Sequence, residues 1–363
     1  MNFLFDDDQN MLRDAAKKLL RDKATFESAH QHMDRESDYD KDLWKLMIDN
    51  GWLGIAVPEE YGGSGMTYLD LAVVAEELGY YYAHTPFSAS IFGAVEAIMT
   101  AGTEKQKHEY LPKLVNGDLI GTLALYEKAG RYDVAGISAE VKKLPVSDGL
   151  CADVAVVAAK GTKGLSLYLV DLKQSGVSRS LLKTMEVTRK QATINFENVD
   201  AILLGAEGEG ESLLEASINR TAILVAFEQL GGAQRSLDMA RDYAIERYAF
   251  GRQIGSYQAI KHRLADMYVK VEMARSNCFF GAWALTSSAD DIAEAAAVSR
   301  IGAVDAFAYA AQENVQIHGG IGFTWEADPH LLLKRMKLQE ALLGGGGVWK
   351  EKLYKVLSSK QAA

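Results

Sequence analysis

Glu246-Arg-Tyr-Ala-Phe-Gly-Arg-Gln-Ile-Gly-Ser-Tyr-Gln258, continued by Lys261-His-Arg-Leu-Ala-Asp-Met267, lies between two long runs of helical period. It sets Arg247, Phe250 and Gln258 at fixed offsets around a glycine turn. A guanidinium gives charge-assisted hydrogen bonds to phosphate, Phe250 offers a flat apolar face, and Gln258 an amide. Together they suit an anionic, ring-bearing cofactor. About sixty residues later comes Gln316-Ile-His-Gly-Gly-Ile-Gly-Phe323. Here the missing side chains of Gly319 and Gly320 let backbone N–H groups approach a ligand closely, and Gln316 stands one helical turn earlier. Taken singly, each element has an ordinary explanation. A Gly-Gly after a helix is usually a C-cap, an isolated arginine is usually a surface ion-pair partner, and His318 reads as a packing or hydrogen-bonding histidine.

Outward from these stretches the chain has three textures. From about Asp6 to Gly117 it is helical, with Leu12, Ala15, Ala16, Leu19 and Leu20 recurring at three and four. Pro58-Glu-Glu-Tyr-Gly-Gly-Ser-Gly65 breaks the pattern, and Asp70–Leu78 and Glu104–Leu114 resume it. From about Leu119 to Gly210 short β-branched or apolar runs take over: Val154-Ala-Val-Val, Leu165-Ser-Leu-Tyr-Leu-Val and Ala192-Thr-Ile-Asn-Phe. Asp148-Gly149 and Gly161–Gly164 punctuate them. From Glu211 the helical period returns over Ile218–Tyr248, Tyr257–Leu285 and Ile292–Ile317. Asp328-Pro329 supplies an N-cap and a first-position proline for a run through Leu343. Gly344–Gly347 then stops it before a short Trp349–Leu357 helix.

The 363 residues are enough for a large core, and 48% hydrophobic with 24% charged residues is a globular balance. A net charge of −10 argues against nucleic-acid binding. Cys151 and Cys278 are too few for a disulfide framework or a zinc site, so no metal is expected and both thiols should be buried and reduced. The acidic start, Met-Asn-Phe-Leu-Phe-Asp-Asp-Asp, lacks signal-peptide order, and no apolar window suits a membrane span. A cytoplasmic location is expected.

The two signatures resemble the adenine-side FAD elements of the acyl-CoA dehydrogenase family, and the likeness runs over essentially the whole chain. Pro58–Gly65 matches the family's first turn. Gly102-Thr-Glu-Lys-Gln-Lys with Tyr110-Leu-Pro-Lys-Leu matches the approach to its β-domain. The resemblance implies an α+β, mainly α fold: an N-terminal helical domain (1–118), a central β-barrel or sheet domain (119–210) and a C-terminal four-helix bundle (211–363) carrying FAD-binding and oligomerisation elements. It also implies that Arg247, Phe250, Gln258, Gln316, Gly319 and Gly320 hold the ADP end of an FAD whose ring lies mainly in a neighbouring subunit. An acyl-CoA substrate, an electron-transfer acceptor and at least a dimer follow from it.

The family's reaction takes the α-proton of an acyl-CoA with a carboxylate base and passes the β-hydrogen to flavin as hydride. Its two usual seats for that base fall at Leu343 and Thr221, and neither is acidic. The family's Thr-Glu-Pro-Gly stretch at the flavin ring reads Tyr126-Glu-Lys-Ala-Gly130. Its Gly-x-Lys strand reads Glu140-Val-Lys-Lys-Leu144. Tyr126 is bulkier than threonine and takes ring space. Glu340, Glu228 and Glu127 read as structural, and Glu326-Ala-Asp328 as helix capping. This asymmetry resembles the degenerate subunit of bacterial heteromeric acyl-CoA dehydrogenases, including those acting on steroid side-chain thioesters. The chain is therefore expected to complete the FAD site of a base-carrying partner. The alternatives are a self-sufficient dehydrogenase with a non-standard base, and a flavin-free or otherwise reacting member of the fold.

Overall fold

The computed structural model describes residues 5–33, 39–128, 142–287 and 291–362. Met1–Leu4 of the acidic start, Ala129 and Gly130 of the altered flavin stretch, and Glu140 and Val141 of the altered strand lie outside these.

Helices come first. α1 (Asp7–Lys23) opens on a capping box between Asp6 and Gln9 and buries Ala16 and Leu20, the face its period announces. α2 (Phe26–Met33) and α3 (Lys41–Asp49) follow. α4 (Tyr68–Tyr80) starts from a Thr67–Asp70 capping box and is buried from Asp70 to Gly79. A wholly buried π-helical stretch (Ser88–Val95) runs into α5 (Glu96–Ala101), and α6 (Glu104–Val115) closes the helical zone.

The central strands are β1 (Gly121–Ala124), β2 (Lys142–Ser147), β3 (Val154–Gly161), β4 (Gly164–Asp171), β5 (Val177–Leu182), β6 (Gln191–Phe196) and β7 (Ile202–Leu204). They form two sheets, ordered β1-β3-β4-β7 and β2-β6-β5. Among the described strands of these sheets only the β1–β3 pair is parallel.

α7 (Gly210–Glu246) has 37 residues, about 55 Å at 1.5 Å per residue. It leads through a hairpin of β8 (Tyr248–Ala249) and β9 (Arg252–Gln253) to α8 (Gln258–Ser287) and α9 (Ile292–His318). α10 (Pro329–Leu342) and α11 (Gly346–Ala362) complete the bundle. Among the described residues no helix is long and apolar enough to cross a membrane.

Glycines fix where α7 lies. A Cβ on Gly79 would sit 1.8 Å from the Glu228 carbonyl oxygen, and one on Gly231 would sit 1.8 Å from that of Glu76. α4 and α7 therefore cross backbone against backbone, which places Thr221 and Glu228 on the inner wall of the molecule.

Three expectations need correction. Asp328 occupies the N-cap position of α10, but its carboxylate caps nothing; it bonds His30 Nε2 on α2 at 2.7 Å instead. The glycine run stops the chain for only a few residues. Gly344 takes φ 85°, and α11 begins at Gly346, its first turn held by Trp349 Nε1 donating to the Leu343 carbonyl at 3.0 Å. Cys278 is buried, whereas Cys151 is half-buried in the turn after β2, its Sγ 3.1 Å from the Asp148 carbonyl.

Candidate functional site

The first signature forms the α7–α8 connection. Arg247 is the C-cap of α7, its N–H bonded to the Tyr243 carbonyl at 2.8 Å. Phe250 (φ 53°) and Gly251 (φ 81°) then make the two-residue turn between β8 and β9. Positive φ at both positions is the pattern of a type I′ hairpin, which favours Asn-Gly. A phenylalanine there is strained, and Phe250 is also 97% exposed. Tyr257 Oη donates to the Ala249 carbonyl at 3.0 Å, and the Arg252 guanidinium lies 4.0 Å over the Tyr257 ring, so the hairpin tip is braced in this costly position. Gln258 begins α8 and is exposed.

The second signature ends α9. Gly319 is its C-cap at φ 67° and ψ −143°, a conformation suited to glycine. A Cβ on Gly319 or Gly320 would meet nothing within 4 Å. The C-cap reading is thus correct for Gly319, and the space beside it is open as well. Tyr243 stacks on His318 with ring centroids 4.1 Å apart and planes at 23°, joining the ends of α7 and α9. The structure therefore brings the two distant signatures to one end of the bundle. The side chains of Arg247, Gln258 and Gln316 face solvent there, without an ion pair or hydrogen bond from the described residues.

The inner region is different. Thr221 and Leu343, the two seats expected for a base, line one and the same cavity. Thr221 spends its hydroxyl on helix backbone, 2.6 Å from the Phe92 carbonyl and 2.9 Å from that of Ser217. Leu343 is the buried C-cap of α10. Tyr126, Leu123, Leu125 and Val225 fill out the walls, and no acid is among the described lining residues. The cavity measures about 60 Å³, less than half the ~150 Å³ that accommodates one benzene ring.

Behind this wall lies a buried charge cluster that no local pattern announced. Ser88 and Arg189 line the cavity, and both hold Glu228: Ser88 Oγ donates to Oε2 at 2.5 Å and Arg189 Nη1 to Oε1 at 2.8 Å. Arg189 Nη2 also reaches Asp148 Oδ2 at 3.4 Å. Next to it, Glu186 accepts from Tyr82 Oη at 2.9 Å, and Arg335 donates to the Ala83 carbonyl at 3.0 Å and to Thr188 Oγ1 at 2.9 Å. The cluster joins the N-terminal helices, the sheets and the bundle. Two cations meet three carboxylates, so one negative charge is left over. Burial pushes the Asp148 carboxyl up to about 6, partly opposed by the Arg189 charge. Glu186 stays below the ordinary range because Arg335 and donated hydrogen bonds outweigh its burial.

The other acids are also committed. Glu340 pairs with Lys337 at 3.0 Å, and Glu127 with the buried Lys143. Only a charged residue set in an apolar run, such as Glu228 within Ala226-Phe-Glu-Gln-Leu230, hinted at the cluster, and the run does not name its partners.

The acyl-CoA dehydrogenase N-terminal domain model matches residues 6–118, and the C-terminal domain model matches residues 208–357. The chain belongs to the acyl-CoA dehydrogenase family. Members are FAD-dependent oxidoreductases, and this chain is such an enzyme or a subunit of one. It is similar to acyl-CoA dehydrogenase IpdE2 of Mycolicibacterium smegmatis, with 33% identity covering 93% of this chain and 95% of the relative. Among solved structures it resembles a Tcur3481-Tcur3483 steroid ACAD variant (TM-score 0.90, 29% identity, 98% and 99% of the two chains). It also resembles the ChsE4-ChsE5 complex of Mycobacterium tuberculosis (TM-score 0.89, 26% identity, 99% of each chain).

Proposed function

We propose that this chain is the base-lacking subunit of a heteromeric acyl-CoA dehydrogenase and lends the ADP end of the FAD site to a catalytic partner. The observation that carries the reading is the contrast between the two regions. Thr221 and Leu343 converge on one small cavity without an acid, while the clamp side chains stand open. In this reading the chain divides into units at 1–118, 119–210 and 211–363.

The outer cluster suits the ADP half of FAD. Its one strained, solvated aromatic, its unengaged arginine and amides, and the open space at Gly319 and Gly320 match what an anionic nucleotide needs. Arg247 bonds the pyrophosphate, Phe250 covers the adenine, Gln258 and Gln316 bond phosphate or ribose, and the Gly319–Gly320 backbone donates N–H groups. The inner cavity does not suit the isoalloxazine, whose three fused rings exceed it. When bound, FAD accepts the β-hydrogen of the acyl-CoA as hydride; the ring and the base belong to the partner's side of the site. Glu228, which shares Ser88 and Arg189 with the cavity wall, is held by both and serves the junction.

The similarity to the ChsE4-ChsE5 complex and to a Tcur3481-Tcur3483 steroid ACAD supports a two-chain assembly acting on an acyl-CoA, with an electron-transfer acceptor downstream. Arg247→Ala is the direct test. In the assembly co-purified with its partner it should lower the flavin-to-protein ratio by well over half while the subunits stay together. Unchanged flavin content would remove the clamp assignment.

A further inference from the structure

We propose that His318 is a further nucleotide-binding residue, its Nε2 accepting a hydrogen bond from an N–H or O–H of the adenosine of FAD. The inference rests on the ADP clamp proposed above and adds a contact of opposite polarity to it.

The tautomer follows from the partner. His318 Nδ1 lies 2.8 Å from the Asn314 carbonyl, which can only accept, so Nδ1 carries the proton. Burial keeps the ring's pKa below the ordinary histidine value, with the Asn314 bond opposing it, and the ring is neutral at pH 7. Nε2 is then a bare acceptor. No described residue donates to it, and it is not among the side-chain atoms sealed from solvent.

Its direction is fixed twice. The Asn314 bond sets the ring edge, and the Tyr243 stack sets the plane. The Tyr243 backbone carbonyl accepts from the Arg247 backbone N–H, so the residue stacked on His318 lies one helical turn before Arg247. Gly319 and Gly320 follow directly, with free space around them. A bare lone pair is wrong for phosphate, which is itself an acceptor and already has Arg247 and backbone N–H groups. It suits a donor on the same nucleotide: a ribose hydroxyl or the 6-amino group of adenine.

The experiment uses the co-purified assembly, stripped of flavin and titrated with FAD by fluorescence, then competed with ADP and with ADP analogues lacking the 2′-hydroxyl, 3′-hydroxyl or 6-amino group. His318→Phe keeps the stack and roughly the volume but has no acceptor. It should raise the FAD dissociation constant about five- to ten-fold, the size of one hydrogen bond. One analogue should lose a similar factor against wild type and nothing against His318→Phe, a non-additivity that a packing role would not produce. If His318→Phe and all three analogues bind like their references while Arg247→Ala binds weakly, the inference falls and the clamp stands. If Arg247→Ala also binds like wild type, the clamp falls and takes the inference with it. An assembly in which no analogue weakens wild-type binding overturns the inference even if His318→Phe does not fold.

Discussion

Asp148→Asn should make the protein more stable at neutral pH, although it removes one partner of a buried ion pair. Such a removal usually costs about 3–5 kcal/mol because it strands the other charge. Here the count differs. Arg189 keeps Glu228, and Arg335 keeps Glu186, so the substitution leaves a neutral cluster where the wild type carries a surplus carboxylate. Asp148 also stands at φ 52°, a left-handed conformation that asparagine tolerates as well as aspartate. The size follows from linkage. The folded carboxyl titrates near 6 against an ordinary 3.8. A carboxyl raised in the folded state is protonated there while the unfolded chain has already lost its proton, so stability falls as pH rises from about 4 to about 6 and is flat above. Two pKa units are about 3 kcal/mol at ~1.4 kcal/mol each. Urea unfolding of wild type and variant from pH 5 to 8 should show the difference at roughly half its size at pH 5 and full size above pH 7. A variant less stable at pH 7.5, or a difference independent of pH, would refute the charge count.

Other outcomes follow from the same geometry. Phe250→Asn should stabilise the lone chain by about 1 kcal/mol, since asparagine suits a type I′ turn, while lowering flavin retention in the assembly. Urea midpoints and flavin ratios read the two effects, and a destabilised chain or unchanged flavin contradicts one of them. Leu343→Glu places a carboxylate in an apolar wall and should cost about 2–4 kcal/mol by its desolvation. It should also give the lone chain no turnover, because the cavity remains too small for the ring. Acyl-CoA oxidation by that single variant would mean the cavity opens.

Long elements were legible because their signal is local. The α7, α8 and α9 periods, the runs of β3, β4 and β6, and the glycine turn after Arg247 are each written in consecutive residues. The buried π-helical stretch Ser88–Val95 has no polar face and hence no period to find. The junction was out of reach for another reason. Tyr82 meets Glu186 across 104 positions and Arg335 meets the Ala83 carbonyl across 252, so nothing near either residue predicts its partner. Asp328 shows the same effect on a smaller scale: a local cap rule placed it correctly on the chain, and a distant histidine took its carboxylate. For the candidate site, spacing marked the two signature stretches, while the two expected base seats came from the family resemblance. That Thr221 and Leu343 share one cavity, and that Tyr243 stacks on His318 to join the two signature stretches, required the fold.

The central proposal is that the chain grips a nucleotide but, among its described residues, sets no acid at the cavity to deprotonate a thioester. The direct measurement is anaerobic mixing of the separately expressed chain, reconstituted with FAD, with a panel of acyl-CoA thioesters while flavin absorbance is followed. The account predicts no bleaching by any thioester until the partner chain is added. Bleaching with enoyl-CoA formation by the chain alone would contradict it.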